Sequence, residues 1–143
     1  MVDERTLTAP GRFESLAQIS DFITQVARDA GFDEDGVFHV QMAVDEACSN
    51  VIEHAYGQVS GDIVLTCGVD EAGDLRIDIR DSGTRFDPDS VPLPQVEVGK
   101  VDLDDLNIGG LGLFFIRKLM DEVTFRFDAE SGNHLTMVKR RPH

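Results

Sequence analysis

Basic residues are scarce in this chain. It carries 13 lysines and arginines against 27 aspartates and glutamates in 143 residues, a formal net charge of −14. Phosphate-mediated nucleic-acid binding needs a basic face, so that class of function is disfavoured. An anionic membrane surface is disfavoured for the same reason. No apolar run is long enough for a transmembrane helix. The opening Met1-Val2-Asp3-Glu4-Arg5 lacks the basic region and apolar stretch of a secretory signal, so a cytoplasmic location is expected. Only two cysteines are present, Cys48 and Cys67, and they form no metal-ligand or redox spacing. Both lie in apolar segments, the usual setting of buried, reduced thiols. There is no internal repeat and no low-complexity tail.

At 41% hydrophobic, the chain can bury a proper core, and its length predicts one domain, residues 1–143. Its acidity still permits a nucleotide if a metal supplies positive charge. It also suits a protein partner with a basic patch.

Hydrophobic periodicity sets the expected elements. Leu7 to Phe13 reads as an opening strand and turn, broken at Pro10-Gly11. Glu14 to Ala30 reads as a helix with an apolar stripe of Leu16, Ile19, Phe22, Ile23 and Val26, stopped at Gly31. Asp33 or Asp35 caps a longer helix from about Val37 to Tyr56, ending at Gly57. Val40, Val44, Ala47, Val51 and Ala55 form its core face, with Glu46, Asn50 and Glu53 opposite. Strands follow at Ile63 to Val69 and Leu75 to Asp81, joined by a hairpin turn over Asp70 to Asp74. Pattern then vanishes from Ser82 to about Ile108, a stretch holding Pro88, Pro92 and Pro94, then the acidic Glu97, Asp102, Asp104 and Asp105. A loop of that length in a small domain often serves as a lid. Gly112 to Met120 is helical, and Val123 to Phe127 pairs with Leu135 to Lys139 across a Ser131-Gly132-Asn133 turn. The expected fold is α/β (α+β): a two-layer sandwich whose mixed, largely antiparallel sheet carries three helices on one face.

Three segments can carry chemistry. Glu46 and Asn50 are four residues apart and stack on one face of their helix. A solvated helix face explains such a pair just as simply. Used chemically, Asn50 can bind Mg²⁺ through its carbonyl oxygen, and Glu46 can accept a proton from an attacking hydroxyl or water. His54, in the last turn, more simply complements the helix dipole. Asp81 ends a strand before Ser82-Gly83. Its carboxylate can accept an adenine amino hydrogen, and Gly83 can let a base approach the backbone, although the same residues form plain turns. Gly109, Gly110, Leu111 and Gly112 precede a helix, where backbone N–H groups can meet phosphate, or where a hinge can flex. The spacing matches neither a P-loop nor a dinucleotide fingerprint. Thr136 can reach a base pocket through its hydroxyl, and strand propensity accounts for it equally well.

Together these segments resemble the GHKL ATPase superfamily, whose nucleotide pocket is the Bergerat fold. Glu46-Ala47-Cys48-Ser49-Asn50 with His54-Ala55-Tyr56 looks like its N box. Asp81-Ser82-Gly83-Thr84-Arg85-Phe86-Asp87-Pro88 looks like its first glycine box, and Gly109-Gly110-Leu111-Gly112-Leu113 like its second. The segments Leu119 to Val123 and Gly132 to Thr136 are similar to one branch, the bacterial anti-sigma factor serine/threonine kinases. The resemblance covers nearly the whole chain. It implies that Asn50 holds Mg²⁺ against ATP phosphates and that Glu46 activates a substrate hydroxyl. It implies that Asp81 and Gly83 shape the adenine pocket, that Gly110 and Gly112 lie near the phosphates, and that residues 84–108 form an ATP lid. It further implies phosphorylation of an anti-anti-sigma antagonist protein, sequestration of an RNA polymerase sigma factor, and a homodimer. Two alternatives remain open on the residues alone. One is a switch kinase acting on an antagonist-like scaffold without touching sigma. The other is a module that binds nucleotide to set partner affinity without transfer.

Overall fold

The computed structural model describes residues 2–56, 60–85 and 110–141. The first strand, β1, is Val2–Pro10. A short 3₁₀ turn at Phe13–Ser15 leads into α1, Leu16–Asp29. Helix α2 is Glu34–Asn50 and continues as a π-helical turn over Val51–Ala55. Strands β2, Asp62–Val69, and β3, Leu75–Asp81, form a hairpin. Helix α3 is Gly110–Leu119, followed by β4, Glu122–Asp128, and β5, Gly132–Lys139.

The five strands make one sheet in the order β1-β2-β3-β5-β4. Every neighbouring pair is antiparallel. The sheet is therefore not mixed: among the described residues it has no parallel pair. The edge strands are β1, which begins with the charged Asp3-Glu4-Arg5, and β4. Charge on an edge discourages pairing with another chain.

Two periodicities build the layers. In β3, Leu75, Ile77 and Ile79 are buried while Arg76 and Arg80 are exposed, the period of two that turns one face toward the helices. In α1, Ile19, Ile23, Val26 and Ala27 are buried, and in α2, Val40, Ala43, Val44, Ala47 and Cys48. These stripes meet Ile63, Leu65, Ile77, Ile79 and Met137 of the sheet in one core. Cys48 and Cys67 are free thiols inside it, and burial pushes the Cys67 thiol up to about 12. Asp33 caps α2: its Oδ1 accepts the Gly36 backbone hydrogen at 2.8 Å. Such a cap is worth about 1 kcal/mol.

Three boundaries differ from the sequence expectation. Strand β1 begins at Val2, five residues before Leu7, because it pairs with β2 at Val2 and again from Arg5 to Pro10, with a bulge between. The last turn of α2 is π-helical, closed by Tyr56 N–H donating to the Val51 carbonyl at 2.9 Å. The β4–β5 turn lies ahead of Gly132 and Asn133, which belong to β5 and pair with Asp128 and Phe127. The expected helix end at Gly57 and the lid from residue 86 onward lie outside the described residues.

Candidate nucleotide site

Alternation along two adjacent strands makes the floor of the site. Asp81 is in phase with Leu75, Ile77 and Ile79, so its carboxylate points to the helix side of the sheet. Asn133 is its cross-strand partner and is in phase with Leu135 and Met137. Both are buried polar residues. Asp81 Oδ1 accepts two hydrogens, from the Gly83 backbone N–H at 2.9 Å and from Asn133 Nδ2 at 2.9 Å. Asn133 Nδ2 also donates to the Thr84 carbonyl at 2.9 Å. Burial raises the Asp81 pKa, while Asn133, the Gly83 N–H and His134 pull it back.

A cavity of about 640 Å³, part of it open to solvent, stands over this floor. Its walls are Ala47 and Asn50 of α2, His54 and Ala55 of the π turn, Leu113 and Ile116 of α3, and Ile79, Phe125 and Leu135 of the sheet. An apolar slot with a buried carboxylate at its base suits a flat heteroaromatic ring bearing an amino group.

The neighbouring backbone is held by Tyr56. Its hydroxyl donates to the Asp62 carbonyl at 2.6 Å and accepts the Ser82 backbone hydrogen at 2.7 Å. The ring lies against Gly11 and Gly61, where an added Cβ would collide with ring carbons. Gly83 packs against the end of the π turn: a Cβ there would stand 2.5 Å from the Ala55 carbonyl oxygen. Thr84 N–H donates to that same oxygen at 3.0 Å. Gly83 is thus required by the helix end, an origin other than the expected approach of a base.

The expected site residues separate into groups. Asn50 and Asp81 line the same cavity. Glu46 does not: it lines a shallow groove between α1 and α2 with Ser20, Met42, Asp45 and Ser49. Burial raises the Glu46 pKa, the Glu53 charge raises it further, and His54 opposes them. Gly110, Leu111 and Gly112 form the first turn of α3, while Gly109 lies outside the described residues. Thr136 is not brought to the cavity. It is out of phase with Asn133 and Leu135, and its hydroxyl donates to Asp78 Oδ1 at 2.5 Å on the uncovered face of the sheet. Asn133 and Tyr56 were missed as site-building residues. The signal for Asn133 was its phase with Leu135 and Met137, hidden by its placement in a turn.

Among the described residues no three His, Cys, Asp or Glu side chains gather as a self-sufficient metal site. On the α2 wall of the cavity, apart from Asp81 on the floor, the oxygen donor is the Asn50 carboxamide. A hard cation that keeps waters and takes phosphate oxygens fits a single such ligand.

The comparisons agree with this geometry. The model of the histidine kinase-like ATPase domain matches residues 9–139. The serine-protein kinase RsbW of Listeria innocua is 35% identical, with 97% of this chain and 88% of that protein covered. The protein of the same name from Halalkalibacterium halodurans is 34% identical over 93% of this chain and 80% of its own. Among solved structures, the RsbU and RsbW domains of Rv1364c from Mycobacterium tuberculosis superpose with a TM-score of 0.69 at 19% identity. That alignment covers 99% of this chain and 34% of that one. The histidine kinase domain of the Erythrobacter litoralis blue-light kinase gives 0.52 at 16% identity, covering 90% of this chain and 60% of that one. With nearly its whole length matched, the chain belongs to the histidine kinase-like ATPase family, in the anti-sigma serine-protein kinase branch represented by RsbW.

Proposed function

We propose that this kinase binds Mg-ATP in the cavity and transfers the γ-phosphoryl group to a serine or threonine of an anti-anti-sigma antagonist protein. In the same reading it sequesters an RNA polymerase sigma factor while that antagonist is phosphorylated, and it acts as a cytoplasmic homodimer. The observation that carries the proposal is the buried Asp81 carboxylate at the base of an apolar slot whose wall holds Asn50. Adenine would fill the slot, and its amino group would meet Asp81. Asn50 would ligate Mg²⁺, which neutralises the phosphate charge that an acidic chain cannot. The backbone of Gly110, Leu111 and Gly112 at the start of α3 would face the phosphates. Glu46 would take the proton of the partner's hydroxyl. A base that serves a docked protein belongs at the rim, and the α1–α2 groove is such a place. Phosphoryl transfer depends mainly on positioning and electrostatics, so few groups suffice. No helix among the described residues is long and apolar enough to cross a membrane, which is compatible with a cytoplasmic kinase.

The test is intact-mass detection of phosphate on candidate antagonist proteins mixed with the chain and Mg-ATP, with Glu46→Gln as control. A phosphorylated partner that disappears in the control supports the proposal. One observation favours a second reading, a nucleotide-gated binding module: Glu46 stands outside the cavity. Intact ATP binding with no transfer to any antagonist would select that reading. Transfer to an antagonist-like scaffold, with no sigma factor retained in a pull-down, would select a switch kinase.

A further inference from the structure

We propose that Asn133 sets the base specificity of this pocket by capping one oxygen of Asp81, so that the carboxylate reads a single amino donor and cannot grip a two-donor edge. The proposal rests on the cavity being a nucleotide site and concerns which base it accepts.

Two geometric facts fix the cap. Asp81 and Asn133 are directly paired in the β3–β5 register. Gly132, at φ +90°, brings β5 so close to β3 that an added Cβ would collide with the Asp81 carbonyl oxygen. The carboxamide of Asn133 is thereby pressed onto Asp81. Its orientation is determined by chemistry: both neighbours, Asp81 Oδ1 and the Thr84 carbonyl, are acceptors, so the NH₂ group must face them. Its two hydrogens are both committed.

The consequence falls on Asp81. Oδ1 already holds the Gly83 and Asn133 hydrogens, which leaves Oδ2 as the oxygen a ligand can reach. Guanine presents two adjacent donors, N1–H and the 2-amino group, and a carboxylate with both oxygens open takes them as a fork. A carboxylate with one oxygen capped cannot. Adenine presents one exocyclic amino group beside an acceptor nitrogen, and one open oxygen is what that edge needs. Sites that hydrogen-bond a defining donor discriminate strongly against analogues that cannot match it.

The experiment is a pair of affinities, Mg-ATP and Mg-GTP, for the wild-type chain and for Asn133→Leu, Asn133→Val and Asn133→Ser. The wild type should prefer ATP by on the order of 100-fold. Asn133→Leu frees one of the two acceptor positions of Oδ1, leaving only the Gly83 hydrogen there, and the ATP-to-GTP ratio should fall by about tenfold or more, in part through tighter GTP binding. Asn133→Val removes the donors with a smaller, strand-favouring side chain, so it gives the same reading if the leucine variant does not fold. Asn133→Ser retains one donor and should recover much of the preference. A purely structural role would weaken both nucleotides together and leave the ratio alone. An unchanged ratio in the leucine and valine variants, with ATP still preferred by the wild type, would overturn this proposal and leave the nucleotide site standing. Wild-type chain that binds neither nucleotide would overturn both.

Discussion

The hydroxyl of Tyr56 joins two backbone groups that the sequence holds far apart: it accepts the Ser82 hydrogen at 2.7 Å and donates its own to the Asp62 carbonyl at 2.6 Å. The end of α2 is thereby fastened to the start of β2 and to the residue after Asp81. Tyr56→Phe keeps the ring but removes the two part-buried hydrogen bonds to the Ser82 N–H and the Asp62 carbonyl. Losing such hydrogen bonds costs about 0.5–1.5 kcal/mol each. Urea unfolding should show a loss in that range, and ATP affinity should fall because Ser82 and Gly83 are no longer held. Equal stability in the variant would mean that the hydroxyl bonds are replaceable.

Gly83 is constrained by contact with the helix end. Alanine there would force its Cβ into the Ala55 carbonyl, a backbone atom that cannot swing aside. Gly83→Ala should destabilise the chain by about 1–3 kcal/mol. It should also weaken ATP, because Asp81 Oδ1 takes one of its hydrogens from this residue. Thermal unfolding alongside calorimetric titration measures both effects.

Asn50 is half-buried at the cavity wall, and no hydrogen bond from its side chain ties it to the core among the described residues. Asn50→Ala should fold normally and lose Mg-dependent ATP binding. Unchanged affinity with and without Mg²⁺ would remove the metal assignment.

The Glu46 carboxyl titrates above its ordinary value of 4.5, through burial first and the Glu53 charge second. A general base works in its ionised form. Phosphotransfer should therefore be slow at low pH and rise through a midpoint above 4.5. Glu46→Gln should bind ATP and transfer nothing at any pH, and full activity in that variant would refute the base role.

Asp45 carries a buried oxygen, Oδ1, with no hydrogen-bond partner among the described residues, and burial raises its pKa. A carboxyl whose folded pKa is raised binds its proton more tightly in the folded state. Its contribution to stability is then full below the unfolded value of about 3.8 and is lost as pH climbs through the elevated folded value. Asp45→Ala should therefore be more stable than the wild type at pH 7, by up to about 1 kcal/mol, and the gap should close near pH 3.5. Denaturant midpoints at the two pH values decide this.

Local pattern made much of this molecule legible. The strict alternation of Leu75 to Asp81 located β3 to the residue and put Asp81 on the inner face. The stripe of α1 was equally plain, while the choice between Asp33 and Asp35 as the α2 cap falls to Asp33 only in the structure. What was hidden depends on distant partners. The start of β1 carries no apolar pattern over Asp3-Glu4-Arg5, and it is a strand because β2 pairs with Val2 and with Arg5 onward, across a bulge. The π-helical turn at Val51–Ala55 changes the hydrogen-bond pattern without changing the apolar spacing. Gly132 and Asn133 look like turn residues, yet the glycine's positive φ serves close strand contact and the asparagine serves Asp81. Thr136 shows how a single position in a period of two decides between the pocket and the opposite face of the sheet.

The clamp around Tyr56 has an experimental consequence. The chain has no tryptophan and one tyrosine, so all its tyrosine emission originates at this ring. The ring is wedged between two glycines and hydrogen-bonded at its tip beside the first glycine box. Its fluorescence is therefore a built-in gauge, free of any label, for whether that corner of the protein loosens or tightens as a nucleotide arrives.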